Sequence, residues 1–196
     1  MYSFDEIIDF HHDNINVYNE IKKNLSKLVP FVGAGLSQFV YYSWPGLLTE
    51  LTKNITNRKD VSEIKRLIKQ KDEHYLEAAQ LLENLRTPNN LARDIATLFS
   101  PKKLQEKNNQ FHKEAISLLP LLFPDFVITT NFDQTLETVY NNPLRSVFNP
   151  NQLTLLNQYL SQVTDYPGIF KLHGTVSDDY IEYDNIVFTE KQYNKL

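Results

Sequence analysis

Apolar and polar positions along the chain alternate between two periods. Ser3 and Glu6 form an S-x-x-E pattern ahead of Ile7, Ile8 and Phe10, which predicts a capping box opening a short helix. A second helix is predicted over Asn16 to Leu28, with Val17, Ile21, Leu25 and Leu28 on one face. Leu28-Val29-Pro30-Phe31-Val32 is a short apolar run that stops at Gly33-Ala34-Gly35, the pattern of a buried strand with Pro30 at its start. Ser43-Trp44-Pro45-Gly46 reads as a turn and Leu47 to Ile55 as a helix. The helical period then holds from Val61 to Leu122. Tyr75, Ala78, Ala79, Leu82 and Leu85 share one face, Leu91, Ile95 and Leu98 a second, and Phe111, Ala115, Leu118 and Leu119 a third. Pro88, Pro101 and Pro120 punctuate these segments.

The period returns to that of strands at Phe126-Val127-Ile128-Thr129-Thr130, with a helix expected over Gln134 to Tyr140. Asn141 to Asp165 is rich in Asn and Gln and carries no clear pattern. Ile169-Phe170-Lys171-Leu172 is a further strand, and Ile186-Val187-Phe188 a candidate for another. Strands separated by helical stretches predict an α/β fold built on a parallel sheet flanked by helices. In such sheets ligands bind beyond the carboxyl ends of the strands. Three of those ends carry glycine or polar residues: Gly33 to Ser37, Asn131 to Asp133, and His173-Gly174.

Composition narrows what these ends can do. The 196 residues suit one domain, and 41% hydrophobic with 22% charged residues is a globular balance. The net charge of -4 gives no general attraction for nucleic acid. The chain has no cysteine, which excludes disulfides, Cys-ligated zinc and thiol nucleophiles. Acids at Asp5, Glu6 and Asp9 stand where a signal peptide would be basic, and no stretch approaches a membrane span, so a cytoplasmic protein is expected.

Gly33-Ala34-Gly35-Leu36-Ser37 reads two ways: an ordinary strand-to-helix turn, or a turn whose backbone N–H groups meet a pyrophosphate at a helix N-terminus, with Ser37 capping the helix or bonding the ligand. Asn131 and Asp133 suit helix capping. They equally suit a site in which Asn131 holds a water or ribose hydroxyl and Asp133 accepts from a carboxamide. His173 suits proton transfer near neutral pH, with Gly174 leaving room for substrate. His11, His12, His74 and His112 lack such settings, no His/Asp/Glu spacing resembles a metal site, and no Ser sits in a nucleophile elbow. Tyr41-Tyr42-Ser43-Trp44 reads first as core packing, with the wall of a ring-binding cleft as the alternative.

In this order, "FVGAGLS", "TTNFD" and "KLHG" resemble the glycine loop, the Asn/Asp loop and the catalytic histidine segment of the silent-information-regulator (sirtuin) family, over Val29 to Gly174. The resemblance implies a Rossmann-like, sirtuin-type NAD-binding fold with a helical insertion at about residues 47–122, all in a single domain spanning 1–196. It implies that Gly33, Ala34, Gly35 and Ser37 meet the phosphates, that Asn131 and Asp133 line the nicotinamide-ribose pocket, that Thr130 also binds the cofactor, and that His173 is a general base. It implies NAD as substrate and no metal.

The chain departs from protein-deacylating sirtuins in lacking the four-cysteine zinc module and in carrying Ser43-Trp44-Pro45-Gly46-Leu47-Leu48 where they have a Pro-Asp-Phe-Arg-like stretch. It is more similar to the cysteine-free bacterial NAD hydrolases of antiphage defence. That likeness implies NAD glycohydrolase activity, with a homo-oligomer or a partner defence protein, and no direct binding of nucleic acid or membrane. Because the family fold continues past the histidine with more strands, the C-terminal strands and the adenosine side of the site are expected to be missing. A non-catalytic module binding NAD or ADP-ribose is the alternative, and a protein deacylase a further one. A hydride-transfer dehydrogenase is disfavoured by Gln38 at the third glycine position.

Overall fold

The structure is a computed structural model that describes residues 14–70, 74–162, 166–176 and 186–195. The capping box at Ser3 and Glu6, together with His11 and His12, lies outside the described residues.

Four parallel strands make the sheet: β1 (Phe31–Val32), β2 (Phe126–Thr129), β3 (Ser146–Phe148) and β4 (Gly168–Lys171), in the order β1-β2-β4-β3. With flanking helices this is the expected α/β, Rossmann-like architecture. The register pairs Val32 with Thr129 and Thr129 with Lys171, so the three motif-bearing strands end level with one another. Thr129 stitches two of them: its hydroxyl donates to the Val32 carbonyl (2.8 Å), and its own carbonyl accepts from the Leu172 amide (2.8 Å).

The helices between β1 and β2 start where their caps dictate. In α2 (Trp44–Thr52) the Ser43 hydroxyl accepts from the Gly46 amide, and Pro45 sits in the first turn, where no N–H is missed. α3 (Arg58–Lys69) starts on Asn57, whose side chain accepts from Lys59. After α4 (Tyr75–Leu85), α5 (Pro88–Leu98) starts on Thr87, with Pro88 in its first turn. Leu48, Ile64, Ala78, Ala79, Leu82, Leu91 and Ile95 are fully or almost fully buried together, forming the core of this helical layer.

Several sequence expectations change. The first described helix, α1 (Asn14–Asn24), passes into a 3₁₀ turn at Leu25–Lys27 and buries none of its residues; Val17, Ile21 and Leu28 are exposed. The strand expected over Leu28 to Val32 shortens to two residues, because pairing begins only where the Pro30 carbonyl accepts from Ile128. After α6 (Lys102–Glu106), the third helical face breaks into 3₁₀ turns at Asn108–Lys113 and Ala115–Leu118, before the four-residue α7 (Leu119–Leu122). Pro120 starts a new helix more readily than it continues one, and Ile116 enters the core in place of the exposed Leu118.

Beyond β2 lie α8 (Thr135–Val139), α9 (Leu153–Leu160) and α10 (Glu190–Tyr193). β3 lies in the stretch without a pattern and is held by β4. Ile186-Val187-Phe188 is buried but is no strand: the side-chain oxygen of Gln192 accepts the Phe188 and Thr189 amides (2.9 and 3.0 Å) that a ladder would have used.

Gly168 shows what the sheet demands of glycine. A Cβ there would lie 2.6 Å from Phe126 Cδ2 and 2.7 Å from Tyr159 Cε1, whereas one at Gly33 would meet nothing within 4 Å. Gly168→Ala is expected to cost about 1–3 kcal/mol by overpacking. Gly33→Ala, on extended backbone, should stay within about 0.5 kcal/mol of the parent. Urea melts of the two variants check this; equal melts would contradict it.

Candidate functional site

The level strand ends open into a solvent-facing cleft. Ala34 and Ser37 from the first motif, Thr130, Asn131 and Asp133 from the second, and His173 from the third all line it. Tyr42, Trp44, Leu47, Phe99 and Phe132 supply the apolar remainder. Six of the eight residues expected at the site thus share one cavity.

Gly33 and Gly35 do not line that cavity. Gly33 is extended (φ -110°), so its backbone does not require glycine, and the chain enters a 3₁₀ turn at Ala34–Ser37, not an α-helix. Ser37 ends that turn instead of capping a helix, and its hydroxyl donates to the Ala34 carbonyl (3.2 Å). The open space above both glycines still lets a ligand approach this backbone closely. Left-handed backbone occurs at Gly174 (φ 80°), immediately after the histidine, where it makes the turn out of β4.

Asn131 is buried and braces the glycine turn. Its Nδ2 donates to the Gly33 carbonyl (3.1 Å) and to Ser37 Oγ (3.2 Å), and its backbone amide donates to Thr129 Oγ1 (2.9 Å). Both amide protons are committed, which leaves the side-chain oxygen as the end able to accept from a ligand. One Asp133 carboxylate oxygen accepts from the Thr135 amide (2.9 Å) at the start of α8, while the residue also borders the cleft.

Beneath these loops Lys171 is fully buried. Its ammonium donates to the Asp133 carbonyl and to Glu137 Oε1 (2.8 Å), joining β4 to the start of α8. Glu137 Oε2 is buried without a hydrogen-bond partner. Sequence reading missed this pair, although a lysine inside an otherwise apolar strand was its visible signal.

His173 is pushed down to about 4, chiefly by burial, against which a hydrogen bond to the Thr130 backbone works. The imidazole is therefore neutral at physiological pH, as a proton acceptor must be. Tyr41 belongs to the core, but Tyr42 and Trp44 form cleft wall, and Trp44 stacks on Phe188 (5.4 Å between centroids, 4° between planes). Among the described residues no group of three or more His, Asp or Glu could hold a metal ion, and no helix is long and apolar enough to cross a membrane.

The depressed His173 value has a stability consequence. Between its ordinary 6.5 and about 4 the unfolded chain binds the extra proton, so the folded state loses stability as pH falls through that window and loses no more below it. The parent is expected to lose stability relative to His173→Gln across this window in urea melts. A pH-independent difference between the two proteins would show that the histidine is not buried neutral.

No curated protein matches the chain. A family model described as the SIR2-like domain matches residues 125–196, the stretch that carries the Asn/Asp loop and the histidine, and this similarity supports a sirtuin-like domain with NAD-related activity.

Proposed function

We propose that the cleft binds NAD and hydrolyses its nicotinamide–ribose bond. The observation that carries this reading is the gathering of Asn131, Asp133 and His173 around one cavity at the carboxyl ends of parallel strands. The SIR2-like similarity over 125–196 supports NAD as the molecule bound there.

In this reading the diphosphate lies over the turn at Gly33, Ala34, Gly35 and Ser37, where missing Cβ atoms leave room for close approach. Thr130 and Asp133 border the nicotinamide-ribose half, with Asp133 accepting from the carboxamide. The C1′–N bond breaks with its electron pair going to the pyridinium nitrogen, which releases neutral nicotinamide. The ribose carbon, oxocarbenium-like, is taken by water held at the Asn131 side-chain oxygen. His173 accepts the proton that this water loses, so the products are nicotinamide, ADP-ribose and one proton. The aromatic wall of Tyr42, Trp44 and Phe99 keeps bulk water from the reacting centre.

The absence of cysteine and the Ser43 to Leu48 stretch favour hydrolysis over protein deacylation. We place the activity in the cytoplasm, in bacterial antiphage defence, switched on by self-assembly or by a partner protein.

The deciding measurement is nicotinamide release from NAD by the parent, Asn131→Ala and His173→Ala. Release by the parent and a loss of about 10²–10⁴-fold in each variant is expected. Parent-like rates in both variants, or an intact NAD pool under assembling conditions, would sink the hydrolase. With His173 held near 4, the acid limb of kcat/KM should lie around pH 4 and not around 6.5.

A further inference from the structure

The last described segment returns to the histidine. The Val187 amide donates to the His173 carbonyl (3.0 Å), and Phe188 is fully buried against Trp44. Thr189 and Gln192 close a capping box that sets α10, and the Lys191 amide donates to Gln80 of α4 (3.2 Å). From this short, fixed helix Tyr193 reaches the imidazole. Its hydroxyl lies 3.4 Å from Nδ1, and the two rings meet edge to face (4.9 Å, 73°).

We propose that Tyr193 is a positioning residue for His173, presenting its phenol proton to Nδ1 and thereby keeping that nitrogen an acceptor and the ring in one orientation. The proposal rests on the reading of His173 as the base in NAD cleavage. A neutral imidazole has one donor and one acceptor nitrogen. Burial pushes the Tyr193 phenol above its ordinary value, so the phenol keeps its proton and can donate to the nearby Nδ1. A phenol donating to Nδ1 selects the tautomer with the lone pair on that nitrogen. Among the described residues, Asp133 shares the cleft wall with the ring, and the Lys171–Glu137 pair is tied to the Asp133 carbonyl. At 3.4 Å the phenol contact is longer than a tight O–H bond. An incoming hydroxyl can compete for Nδ1 without first breaking a strong partner.

The test compares the parent with Tyr193→Phe, which keeps the ring packing and removes only the hydroxyl. Imidazole ¹⁵N spectra at neutral pH, with His173→Ala identifying the signal among the five histidines, read the nitrogens directly. The Nδ1 resonance is expected to move in Tyr193→Phe towards that of an unbonded acceptor nitrogen. Identical nitrogen shifts in the two proteins would overturn the proposal. In nicotinamide release, Tyr193→Phe should lower kcat about tenfold with KM nearly unchanged, and equal kinetics would likewise overturn it. Should the parent fail to cleave NAD, the hydrolase reading falls, and the ¹⁵N comparison alone decides what Tyr193 does.

Discussion

A buried ammonium holds the site together. Lys171 lies at the end of an otherwise apolar strand, wholly removed from water, and its charge is met by the Glu137 carboxylate and the Asp133 carbonyl. Desolvating such a pair costs several kcal/mol, repaid only where geometry and hydrogen bonds are good. What the arrangement secures is position. β4 carries His173 two residues after Lys171, and the carbonyl that Lys171 grips belongs to Asp133. Asn131 extends the chain of contacts to β1 through Gly33 and Ser37. The three motif loops are thus braced by one another's polar groups.

Much of this was legible in the sequence because strand ends announce themselves. Val32, Val127 and Ile169 are buried runs that give way abruptly to glycine or polar residues, and that change of period located Asn131, Asp133 and His173. Where the sequence misled, the deciding partner lay far along the chain. Ser146–Phe148 is a strand only because β4 offers it a ladder, and only Phe148 of its three residues is buried. Ile186-Val187-Phe188 has the composition of a strand, but a glutamine side chain takes the Phe188 amide and the one that follows it, at Thr189. Gly33 suggested special backbone, yet it is extended, and nothing lies within 4 Å of where its side chain would stand. Tyr193 carried no local signal, since its role exists only through a contact twenty residues away.

The same limit explains α1. Its apolar spacing is that of an amphipathic helix, and such spacing says that a face could be buried, not that something lies opposite it. In the structure Val17 and Ile21 face outward, and Phe31 on the neighbouring edge strand is 63% exposed.

Trp44 gives the cleft an optical consequence. It is the only tryptophan in the chain, it borders the cavity, and it lies flat on Phe188 in the segment that leads to Tyr193. Indole emission from this protein therefore comes from a single address, where the cleft wall and the segment bracing the histidine touch. Any event that fills the cavity or lifts that segment changes the surroundings of the one fluorophore. The site carries its own reporter, readable without a label.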